Sequence, residues 1–178
     1  VAAGDRVVFP ANNVEKCGNV ISQAPDRESA VAAAEGAARA VRIRLDPRNP
    51  DTDAFLSGGG IPNPDGTTWP ASAFRVSPAL AAAAAALPDR GPPPRTGAAS
   101  ASRPGVAYAA LPGAEADTAR DWQGRSIAES LKVVQEWTGA ALDDGRAELV
   151  LGASFWKALF RGGAQGAAYM IDSLFRKD

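Results

Sequence analysis

The sequence predicts an α+β fold: a small antiparallel sheet with packed helices, followed by a mainly helical appendage. Three observations carry this. Two short apolar runs, Arg6–Phe9 and Gly18–Ser22, flank a polar stretch and read as a hairpin. An alanine-rich run of helical periodicity starts at Asp26. Further on, Ser126 and Gly139 bracket an amphipathic segment with a helix start and a helix stop.

The elements follow in order. Pro10 ends the first run, because it cannot donate to a ladder. Asn12 and Asn13 tolerate left-handed backbone and suit a turn. Val20 and Ile21 are β-branched and favour the second strand. Asp26 is the N-cap of the first helix, with Glu28 in its first turn. Val31, Ala34, Ala38 and Val41 share one face, and Glu35 and Arg39 form an i,i+4 pair. Gly36 costs about 1 kcal/mol against alanine in mid-helix, a cost that close approach to a sheet would offset. Residues 46–73 read as one long loop, with Phe55, Leu56 and Trp69, and Phe74 just beyond, as attachment points. Ser77-Pro78 opens a helix that runs to Leu87 and stops at Pro88. Residues 88–105 have linker composition. They divide the chain into 1–87, a linker 88–105, and an appendage 106–178. In the appendage Val106–Leu111 suits a strand, and Ser126 with Glu129 forms a capping box. Ile127, Leu131, Val134 and Trp137 form an apolar stripe that Gly139 caps. Glu148–Leu151 is a short strand or turn, and a last helical stretch from Ser154 is interrupted at Gly162-Gly163. There is no internal repeat.

Composition excludes several function classes. The chain has 178 residues, long enough for one domain or a domain with an appendage. A hydrophobic fraction of 46% permits a core, but aromatics are only 7%, so that core depends on close helix packing. A net charge of -1 gives no electrostatic case for nucleic acid or an acidic membrane surface. With no histidine, Ser-His-Asp and Cys-His catalysis and His-ligated zinc are ruled out. The single cysteine, Cys17, fits a reducing compartment, and no apolar run approaches the roughly 20 residues that span a bilayer. No secretory signal is visible, so the expected location is cytoplasmic. The opening VAAGDRVV, without methionine, reads as a start inside a longer polypeptide.

Each candidate site has a plainer reading beside it. Cys17 as nucleophile would need an activating base, and only Lys16 stands near it in sequence; a buried or turn-edge thiol explains it without chemistry. Arg161, Gly162, Gly163 and Gly166 could present backbone amides and a guanidinium to an anion. Their spacing matches neither the P-loop nor the dinucleotide fingerprint, and a helix break with tight packing explains it too. Gly58-Gly59-Gly60 reads as a flexible turn. Asp46, Asp51 and Asp53, or Asp143-Asp144, could face magnesium, but acidic residues beside Asn, Pro and Gly are turn formers; no metal site is assigned. Trp122, Trp137 and Trp156 sit among apolar neighbours, as core anchors do. Trp156 and Phe160 are also candidates for a subunit interface, and with it for a homo-oligomer.

The stretch Gly4–Leu45 resembles the end of the ATP-grasp fold, as in phosphoribosylamine-glycine ligases and biotin carboxylases. Gly18-Asn19-Val20-Ile21 supplies the G-x-V strand, and Asp26 through Val41 supplies the alanine-rich helix. The resemblance implies the C-terminal part of an ATP-dependent carboxylate-amine ligase. Its chemistry would be acyl-phosphate formation and attack by an amine, with ATP and magnesium bound by the parent enzyme. The family's ATP lysines and metal-binding Glu and Asn precede this unit, and no residue here matches them. The implied partner is an N-terminal ATP-grasp polypeptide. The chain alone is expected to be inactive, its role being to complete the scaffold and the acceptor side of the cleft. The alternative is a non-catalytic interaction or oligomerisation module.

Overall fold

A computed structural model describes residues 2, 4–6, 18–47, 49–58, 61–62, 68–69, 72–91 and 105–175. The chain divides into two compact units, Val1–Ile43 and Arg44–Asp178.

The first unit is built around α1 (Arg27–Ala40). The Asp26 carboxylate caps it by accepting from the Ser29 amide at 2.8 Å and the Ser29 hydroxyl at 2.8 Å. Those bonds, the backbone one first, hold the Asp26 carboxyl below the usual carboxylate range. The Glu35–Arg39 pair forms at 3.1 Å. Residues 18–22 lie outside any strand, contrary to the expected second hairpin strand. Residues 7–17, which hold the rest of the expected hairpin and Cys17, lie outside the described residues. No residue of α1 is buried, and a Cβ at Gly36 would meet nothing within 4 Å.

The second unit holds the core. The region expected as one long loop contains α2 (Pro50–Ser57). Asn49 caps it by accepting from the Asp51 and Thr52 amides, with proline at the first turn. Beyond it β1 (Ile61–Pro62) pairs antiparallel with β2 (Thr68–Trp69). Next, α3 (Pro78–Ala85) starts on a Ser77 cap, as expected from Ser-Pro.

The main sheet corrects the expectation of an antiparallel one. It has three strands, β3 (Val106–Tyr108), β4 (Ala141–Leu142) and β5 (Leu149–Leu151), in the order β4-β3-β5, all parallel. Parallel neighbours need a crossover of a dozen or more residues, and α4 (Ile127–Thr138) supplies it between β3 and β4. All three residues of β5 are buried, the pattern of a strand covered on both faces. Arg90 extends the sheet through an antiparallel bridge, exchanging bonds of 2.7 and 2.8 Å with Val150. The start of the expected linker is therefore part of the sheet, and the segments on both sides of it belong to one unit; residues 92–104 lie outside the described set.

The last helix, α5 (Ala153–Phe175), is the spine of the unit, with α2, α3 and α4 packed on it. Phe155, Trp156, Leu159 and Ile171 point inward, joined by Phe74, Ile127 and Val134. Tyr108 stacks on Phe155 at 4.6 Å, and Trp156 meets both rings edge-on. Arg44 ties the start of the unit to α4 and α5, pairing with Asp172 and donating to the Trp137 carbonyl.

Candidate functional site

The geometry of the site starts from a break in α5. Gly163 has φ 61 and ψ -157, a conformation reserved for glycine. A broken helix leaves carbonyls without partners one turn earlier. Here the Phe160 carbonyl accepts from the Phe74 amide at 2.9 Å, and the Arg161 carbonyl from the Ala73 amide at 3.0 Å. The segment 72–76 is thereby laid along α5.

A groove of about 740 Å³ opens between this segment, α3 and the first half of α5. Phe74, Val76 and Phe160 with Ala81, Ala84 and Ala85 form its apolar lining. Its charged lining consists of Arg75, Lys157 and Arg161, without a carboxylate. Lys157 and Arg161 stand one helical turn apart, on one face of α5. The Arg161 Nε donates to the Phe55 carbonyl at 2.8 Å, and its guanidinium lies 4.8 Å from the centre of the Phe55 ring. Ser154 completes that face, and its hydroxyl donates to Asp89 at 2.8 Å.

Of the four residues expected to form an anion turn, Arg161 alone lines this groove. Gly163 and Gly166 are buried. A Cβ at Gly166 would stand 2.6 Å from the Ala158 carbonyl oxygen and 2.9 Å from a Leu56 methyl. At Gly162 it would stand 2.8 Å from the same methyl. These glycines form the notch into which Leu56 of α2 fits.

The interface candidates also fall elsewhere. Trp156 is 1% exposed and donates its indole N–H to the Ala109 carbonyl at 2.9 Å; Phe160 is 7% exposed. Both are core residues of the single chain, because the aromatic cluster on α5 consumes their faces. Trp122, expected in the core, is 55% exposed. The aspartates act as turn formers and structural acceptors. Asp143 accepts from the Gly145 amide and pairs with Arg90, while Asp144 accepts from the Arg146 amide. Asp53 accepts from the Tyr169 hydroxyl at 2.9 Å. Among the described residues no group of three or more His, Cys, Asp or Glu side chains could hold a metal ion. Nor is any described helix long and apolar enough to cross a membrane.

Sequence reasoning missed Arg75 and Lys157. They are 82 positions apart, and only the folding of segment 72–76 onto α5 joins them.

Residues 1–46 match the family model described as L-amino acid ligase C-terminal domain 2. The match ends close to the boundary between the two compact units. No curated protein and no solved structure matches the chain.

Proposed function

We propose that this chain is the C-terminal part of an ATP-dependent carboxylate-amine ligase of the ATP-grasp type. In this reading residues 1–46 complete the scaffold and the acceptor side of a cleft whose ATP and magnesium ligands lie on an N-terminal polypeptide. The chain alone is then without ligase turnover. The family match supports this, and the carrying observation is α1 itself. A 14-residue helix is marginal in water unless an apolar face is packed. Yet α1 buries no residue, and Val20, Ile21, Val31 and Val41 around it are exposed, Ile21 to 95%. A larger scaffold is the surface that would bury them.

The test is a segment exchange. Residues 1–46 replace the corresponding C-terminal domain of an L-amino acid ligase, and ATP-dependent ligation is assayed. Ligation should be retained, and Val31→Asp with Val41→Asp should abolish it while the helix signal in circular dichroism persists. A hybrid that folds but does not ligate would sink the reading, as would ligation by the 178-residue chain alone. The same exposed face also suits a non-catalytic interaction module; a ligation-competent hybrid decides against that alternative.

A further inference from the structure

We infer that the groove between segment 72–76, α3 and α5 is a binding site for a small organic anion with an apolar body, such as a medium-chain carboxylate. The inference rests on the Arg44–Asp178 unit and is independent of the ligase reading of residues 1–46.

Size, surface and charge point the same way. A volume of about 740 Å³ lies inside the range of roughly 300–1,000 Å³ typical of small-ligand pockets. The apolar lining consists of the exposed edges of the core residues Phe74 and Phe160, with Val76 and the alanine face of α3. Alanine keeps that face shallow, so a ligand's apolar body can lie against the helix backbone. Arg75, Lys157 and Arg161 add three positive charges with no acid among the lining residues. Neither Arg75 nor Lys157 forms an ion pair with a described residue, whereas Arg39, Arg44, Arg90 and Arg146 each do. Lys157 also lies beside Gly58 at the C-terminal end of α2, where its charge meets the negative pole of that helix. The Asp89 carboxylate is not part of the lining and accepts from the Gly152 amide and the Ser154 hydroxyl at the start of α5. Charge surplus over an apolar wall selects an anionic head on an apolar tail.

The experiment is calorimetric titration of the full chain with decanoate, decyl phosphate and decanol, all below their aggregation concentrations. Decanoate should bind saturably at one site, and decanol at least about tenfold more weakly, since a charge-assisted contact contributes that much. Decyl phosphate separates a general anion site from one shaped for a carboxylate; weaker or equal binding relative to decanoate is expected. Arg75→Gln and Lys157→Gln should each weaken decanoate by about tenfold. Ala81→Leu, at an exposed helix position, should block binding by filling the groove while leaving the melting temperature unchanged. No saturable heat with decanoate would overturn the inference. So would decanol binding as tightly, decyl phosphate binding far more tightly, or unchanged affinity in the three variants.

Discussion

Tyr169 shows how one buried polar atom is placed. Its ring is 2% exposed, wedged beside Leu56 and Ala158, and its hydroxyl reaches the Asn49 carbonyl at 3.0 Å and Asp53 at 2.9 Å. It therefore fastens the N-terminus of α2 to α5. Both acceptors sit at exposed residues that water can satisfy, so removal of the hydroxyl falls at the low end of the hydrogen-bond range. Tyr169→Phe should cost about 1 kcal/mol of unfolding free energy, read from the urea midpoint. Burial, and then the Asp53 carboxylate, push the Tyr169 hydroxyl above its ordinary pKa; burial and Glu115 do the same for Tyr108. A pKa raised on folding means that the native state holds its proton longer than the unfolded chain. The stabilisation is complete below the unfolded tyrosine value of about 10 and is lost as pH rises through the folded value. Melting temperature should thus fall above about pH 10, and less steeply in Tyr169→Phe.

At the scale of the element, α5 is two helical pieces joined by Gly163. Its positive φ with extended ψ lies in a region that a side chain makes costly. Gly163→Ala should destabilise the chain by about 1–3 kcal/mol. It should also release the amides of Ala73 and Phe74, which depend on the carbonyls freed by the break. Urea unfolding reads the first effect and hydrogen exchange at those two amides the second. Unchanged stability in the Gly163→Ala variant would show that the break is not needed. The capping box at the start of α4 is closed in both directions, Ser126 Oγ accepting at 3.1 Å and Glu129 accepting at 2.6 Å. Those bonds from Ser126 hold the Glu129 carboxyl below its usual range, so acid weakens this end of α4.

Across the whole molecule, stability is unequally distributed between the units. The helix α5 buries twelve residues and α1 none. Local opening is governed by such burial, so amides of α1 should exchange about 100-fold faster than those in the middle of α5, or faster still. Equal protection in the full chain would contradict this distribution. In a ligase that buries the apolar face of α1, the same amides should slow, which links this measurement to the proposed role.

Local chemistry was legible in the sequence. The caps at Asp26, Ser77 and Ser126, the stop at Gly139 and the break at Gly162-Gly163 each depend on residues within one helical turn, as does the salt bridge of Glu35 with Arg39. The β part of the α+β class was read from short apolar runs: Val106–Leu111 and Glu148–Leu151 do hold strands, whereas Gly18–Ser22 does not. The helix α2 was hidden because its Pro, Asp and Asn residues also signal loop, and Asn49 was not recognised as a cap. Strand direction was undecided by short apolar runs, since a three-residue strand such as Leu149–Leu151 carries no mark of its neighbour. Tertiary structure alone decided that sheet's parallel order, the notch in which Gly162 and Gly166 receive Leu56, and the meeting of Arg75 with Lys157 and Arg161. The reason is physical: capping and helix breaking are settled by atoms a few bonds apart. Strand partners and groove walls are settled by whichever distant surfaces bury the most apolar area together.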